Sequence, residues 1–150
     1  MTRRFASIML PAAAALALTG VAAGSTHKTK MNFTATLNVG QAKPTPKNTK
    51  NGASGKFTAT LSGTTLTWKL TFTHLSGPAT AAHIHAGKRG VSDPNPMIPL
   101  CGPCTSGQTG TVTGVTTDQI AKMKAGATYV NVHTNLNKAG EIRGQIVMAM

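Results

Sequence analysis

The sequence predicts an all-β protein: a Greek-key-like β-sandwich or barrel of about eight strands with one short helix. Three observations carry this. Apolar and polar residues alternate over several stretches, the period of a half-buried strand. Thr, which favours strands, is abundant, while aromatic residues are few. Gly and Pro interrupt the pattern at regular intervals, as turns do in sandwiches and barrels.

The elements follow in order. In "MNFTATLNV" (31–39), Phe33, Ala35, Leu37 and Val39 alternate with Asn32, Thr34, Thr36 and Asn38. A basic loop follows (40–54), broken by Pro44, Pro46 and Gly52. "GKFTATLSG" (55–63) and "TTLTWKLTFTHL" (64–75) alternate again, the second through Leu66, Trp68, Leu70 and Phe72, with Ser62-Gly63 marking a hairpin turn. "ATAAHIHAG" (79–87) forms a short strand ended by Gly87. Residues 88–96 are loop, 97–107 begin as a strand and dissolve into a turn, and 108–116 are a weakly patterned strand. "TTDQIAKMKAG" (116–126) predicts the helix, capped by Thr116 or Thr117, with Ile120 and Met123 on one face and Gly126 as its stop. "ATYVNVHTNL" (127–136) alternates, "NKAG" turns, and 141–150 end the chain with Ile142 and Ile146 on one side.

Residues 1–23 have the layout of a secretory signal peptide: Arg3 and Arg4, an apolar run, then small residues. Val21 and Ala23 suit cleavage after Ala23; cleavage after Gly24 is the alternative. The run is Ala-rich, contains Pro11 and Gly20, and lacks a basic far flank, which argues against a membrane anchor. No other stretch approaches the ~20 apolar residues of a transmembrane helix. The expectation is a cleaved leader, a flexible segment at 24–30 and one domain at 31–148. The protein is then secreted, periplasmic or held in the cell envelope, with no transmembrane segment after cleavage.

The formal net charge is +12, with Asp93, Asp118 and Glu141 the only acidic residues. Such a balance favours anionic neighbours. The lysines are scattered and not interleaved with aromatics, so single-strand nucleic-acid binding is not expected. An unidentified protein or an anionic envelope polymer is the expected partner. No paired carboxylates, nucleophile motif or phosphate-binding Gly loop is present.

The functional signal lies in "AAHIHAG" (81–87). In a strand, His83 and His85 share a face and Ile84 takes the other. In "TYVNVHT", Val130 and Val132 oppose Tyr129, Asn131 and His133. With Ile84, Val130 and Val132 in the core, His83, His85 and His133 emerge together on the outer face of the sheet. Neutral imidazole suits copper, zinc and nickel, and three His make an ordinary ligand set. Tyr129, Asn131 and Arg143 are the expected neighbours supporting that site. Exposed His on a strand face often has no such role, and His74 is expected to be structural.

"AAHIHAG", followed by "GATYVNVHTNLNKAGEIRGQI", resembles the CHRD domain. That domain is named from chordin and is widespread in exported bacterial proteins. The likeness spans roughly residues 31–148 and includes "FTATLNV" and the "GKFTATLSGTTLTWKLTFTHLSG" hairpin in the family's order. It implies a β domain without a well-assigned activity. Chordin binds growth factors, but this chain lacks chordin's cysteine-rich modules, so that role does not transfer. A weaker likeness is to Cu/Zn superoxide dismutase, a β-sandwich whose copper is held by a His-X-His pair. His83 and His85 match the pair, and His133 would be a third ligand. The bridging histidine, the zinc set and the disulfide placement of that family are absent. The resemblance implies a similar scaffold and copper as the metal; a copper-dependent redox enzyme is one alternative to a binding or structural domain, and a cell-envelope adhesion domain held to anionic polymers by its lysines is another.

"CGPC" (101–104) is the thioredoxin active-site tetrapeptide, but no amphipathic helix follows it, as that mechanism needs. In an exported protein a Cys101–Cys104 disulfide is the simpler expectation. Soft-metal binding by Cys101, Cys104 and Met97 requires reduced thiols. If cleavage falls after Gly24, the mature chain begins "STH", and His27 with the terminal amine forms a square-planar Cu(II) site.

Overall fold

The computed structural model describes residues 28–150; the leader and His27 lie outside the described residues. Nine strands form β1 (Lys30–Asn38), β2 (Ser54–Ser62), β3 (Thr65–Thr73), β4 (Ala79–Ala86), β5 (Pro96–Cys101), β6 (Gln108–Val112), β7 (Thr128–Thr134), β8 (Ile142–Gln145) and β9 (Val147–Met148). A 3-10 turn (Val39–Gln41) follows β1, and one helix, α1 (Thr117–Lys124), precedes β7.

The strands pair antiparallel in the order β5-β4-β7-β8-β1-β2-β3-β6, with β9 also on β1. The connections β3 to β4 and β5 to β6 cross between the two halves of this path, giving a Greek-key-like, nearly closed barrel. Alternation places the core. Phe33, Phe57, Leu66, Leu70, Ile84, Val130 and Ile142 are buried in one cluster drawn from both halves. At about 25 cal/mol per Å² of apolar surface, this shared burial is the main favourable term holding the halves together.

The β2–β3 turn is Gly63–Thr64, one residue later than the sequence suggests, between the paired Ser62 and Thr65. Gly63 has φ +60° at the first turn position, which a type II′ hairpin needs and glycine supplies without strain. The weak pattern of β6 has a packing reason. Gly110 pairs with Trp68, and a Cβ there would stand 2.5 Å from the indole. Phe72, expected inside, is half-buried at the end of β3, beyond the reach of the β6 ladder.

Thr116 caps α1 in a capping box with Gln119. At the other end Ala127 N donates to Lys122 O and Gly126 N to Met123 O, with Gly126 at φ +63°, the geometry of a Schellman cap. Met123 is buried and Ile120 packs beside the core. The C-terminal stretch is two short strands rather than one. Ile146 lies between them and donates its N–H to Thr128 O across the barrel wall.

Cys101 and Cys104 are joined as a disulfide, fastening the end of β5 beside the Ala79–Cys104 bridge. Both sulfurs are thereby removed from any thiolate set with Met97. Among the described residues no helix is long and apolar enough to cross a membrane.

Candidate metal centre

The parity read from the sequence holds. Ile84, Val130 and Val132 point into the core, and His83, His85, Tyr129, Asn131 and His133 take the opposite face of β4 and β7. The register sets His83 opposite Asn131, His85 opposite Tyr129 and Ala81 opposite His133. His133 is therefore the diagonal neighbour of His83, within reach of a ring. Among the described residues, one ligating atom from each of His83, His85 and His133 lies within 4.8 Å of the others.

The face is not open as a bare sheet surface would be. The β4–β5 loop and the loop after the 3-10 turn lie over it, latched where Ser92 Oγ donates to Lys43 O. His85, Tyr129, Asn131 and Arg143 are buried, while His83 and His133 are half-buried. Alternation gives the side of the sheet but says nothing of what a distant loop places over it.

Backbone carbonyls orient two of the rings. His85 Nδ1 donates to Asn95 O at 3.2 Å, and His133 Nδ1 to Lys138 O at 2.9 Å. A carbonyl only accepts, so each Nδ1 carries its proton and each Nε2 keeps its lone pair. This is how ligating histidines are commonly fixed. His85 Nε2 is buried and has no hydrogen-bond partner. His83 Nδ1 stands 3.2 Å from His133 Nε2. Two ligands at about 2.0–2.1 Å from a tetrahedral ion stand about 3.3–3.4 Å apart, so this pair already fits a shared ion.

All three imidazoles are biased toward the neutral form. Burial pushes His133 down to about 4, with the neighbouring histidines adding to the effect. Burial lowers His83 and then His85 adds to it; burial also lowers His85, against the opposing Asn95 and Asp93 contacts.

Tyr129 sits on the strand between His85 and Arg143. Its ring stacks on His85 with centroids 5.2 Å apart and planes 9° apart, and the Arg143 Cζ lies 3.5 Å from its centroid. Arg143 donates to Lys88 O and Ser92 Oγ, and the Tyr129 hydroxyl donates to Asp93 O. These three contacts hold the loop that supplies the Asn95 carbonyl to His85. Asn131 Nδ2 donates to Ala139 O, next to the Lys138 carbonyl that orients His133. Tyr129, Asn131 and Arg143, expected beside the histidines, thus contact the loops whose carbonyls orient two of the rings.

A cleft of about 300 Å³ borders the cluster, lined by His85, His133, Asn131, Lys43, Lys138 and Asp93 among others. Sequence reasoning missed the Asn95 and Lys138 carbonyls, since backbone groups have no residue signature. The "SDPNP" loop did carry one cue: Asp93 Oδ1 accepts from Asn95 N, an Asx turn. Glu141 was also missed. It is buried and accepts from Ser76 N, Ser76 Oγ, Thr134 Oγ1 and Asn137 Nδ2. His74 lies apart from the cluster, exposed at the end of β3 with φ +55°.

Fold and site together define a small antiparallel β-barrel domain with a loop-covered histidine cluster able to coordinate a metal ion. The CHRD domain family matches residues 33–146, and the chain belongs to that family. No curated protein and no solved structure matches it.

Proposed function

We propose that this CHRD domain is an exported binding protein that holds a copper ion through His83 Nδ1, His85 Nε2 and His133 Nε2. The observation that carries the reading is the convergence of these imidazoles within 4.8 Å, two of them oriented by backbone carbonyls. Neutral nitrogen ligands suit copper, zinc and nickel, and Cu(II) stands highest among divalent first-row ions for such a set. Export rests on the leader-like first 23 residues and on the disulfide, a bond that persists in oxidising compartments.

Copper titration of the purified chain tests the reading. One ion per chain is expected for the native protein and none at the same concentration for a His83→Ala/His85→Ala variant. Equal weak uptake by both ends it.

One feature favours a second reading, a copper-dependent redox enzyme of dismutase type: the cleft reaches two of the three imidazoles. That reading requires copper-dependent loss of superoxide, which a binding domain does not produce.

A further inference from the structure

We propose that the cleft beside the histidines binds a small 2-hydroxy carboxylate. The proposal rests on the metal reading and names the partner of that site.

The cleft, about 300 Å³, lies at the small end of ligand sites. Two residues that line it each carry a buried acceptor with no hydrogen-bond partner: His85 Nε2 and Asn131 Oδ1. Such atoms are costly to leave unmet. The metal ion meets the first. The second needs a hydrogen-bond donor, because Asn131 Nδ2 is already committed to Ala139 O.

The charge in the cleft favours an anion. Lys43 and Lys138 line it, and both are exposed at its rim. The one carboxylate there, Asp93, accepts from Asn95 N and Nδ2 through Oδ1. A concave site lined mainly by one sign of charge concentrates the opposite ion. Pro44, Pro94 and Ala139 give it an apolar wall, which suits a ligand with a carbon skeleton.

The ligand therefore carries a carboxylate for the lysines and an adjacent donor for Asn131. An ammonium donor would set another cation beside two lysines and a metal ion. A hydroxyl donates without that repulsion. A carboxylate and a hydroxyl on neighbouring carbons also chelate one ion.

Calorimetry on the copper-loaded chain tests this, with glycolate and acetate at fixed ionic strength. Glycolate is expected to bind about tenfold tighter than acetate, the worth of one added hydrogen bond. A Lys43→Gln variant is expected to keep one copper per chain and lose about threefold in glycolate affinity. Asn131→Ala, checked for folding by circular dichroism, is expected to erase the preference for glycolate. Equal binding of the two acids, or unchanged glycolate binding by the lysine variant, overturns the proposal while leaving the metal reading intact. A chain that takes up no copper overturns both.

Discussion

His83 Nδ1 and His133 Nε2 stand 3.2 Å apart although fifty residues separate them. His133 keeps its own proton on Nδ1 for Lys138 O, so His83 is the donor across this gap. An ion entering the cluster takes the place of that proton. The two rings are thus paired by a hydrogen bond at a separation that would also suit coordination of one ion.

Removing one imidazole should therefore cost more than a bystander substitution. His133→Ala is expected to weaken copper binding by about 100-fold or more, beyond the 10–100-fold usual for an outer partner. His74→Ala, exposed and remote from the cluster, should bind as the native chain does. Matching losses in the two variants, read by competition with a chromogenic chelator, would show nonspecific uptake.

Acid should act on the cluster in a defined window. His133 sits at about 4 when folded, against about 6.5 when unfolded. A lowered folded value means that the unfolded chain binds the proton first. The contribution is complete above pH 6.5 and is lost as pH falls toward 4. The melting temperature of the metal-free chain should drop across that interval, and His133→Ala should flatten the drop. Bound copper should hold against protons to lower pH than an exposed histidine site allows. An unchanged slope in the variant would remove His133 as the source.

Much of this was legible in the sequence. The alternation of Phe33 to Leu37 and of Leu66 to Leu70 reports which side meets the core, because a pleated strand has no other way to bury apolar groups, whereas Val39 falls in the 3-10 turn and is half-buried. The same rule put His83, His85 and His133 on a common face. Register is a different matter. That Ala81, not His83, lies opposite His133 is set by the β4–β7 register, which runs unbroken from Ala81 to Ala86. The covering loops were equally out of reach, since Arg143 finds Lys88 O and Ser92 through tertiary placement alone. Glu141 looked isolated because its partners are uncharged: Ser76 comes from the distant β3–β4 connection, and Thr134 and Asn137 from the end of β7 and the turn that follows it.

Arg143→Lys should loosen the loop over the site. The guanidinium stacks on Tyr129 and reaches two loop acceptors at once, which a point-charge ammonium cannot reproduce. A loss of about 2 kcal/mol is expected, with faster hydrogen exchange confined to residues 88–95. Exchange that quickens uniformly across the strands would mean that the side chain supports the barrel and not the loop.

Glu141→Gln should destabilise by about 3 kcal/mol, because four donors converge on the carboxylate and an amide offers one acceptor fewer. Burial alone would raise the Glu141 pKa. The hydrogen bonds from Ser76, Thr134 and Asn137 outweigh it and hold the group below its usual value. Its contribution is present above about pH 4.3 and disappears as pH falls through the folded value, below the histidine window. Urea unfolding at pH 7 should show the loss, and the native and variant midpoints should draw together as pH falls below about 4.3.

Gly140→Ala should disturb the cleft from behind. Gly140 has φ +121°, and a Cβ there would meet Asn131 Oδ1 at 2.1 Å. The variant is expected to lose about 2 kcal/mol and to bind copper more weakly, because Asn131 must move from beneath the loop that orients His133. Native copper affinity in a folded Gly140→Ala chain would separate Asn131 from the site.

Within strand β1, Phe33 pairs with Met148 and Asn38, at the strand's end, with Arg143. Five residues of extended backbone, about 17 Å, thus separate the edge where the described chain enters and leaves from the rung that carries the arginine. A label attached beyond Met148 would sit at the end of the barrel wall opposite the Arg143 rung.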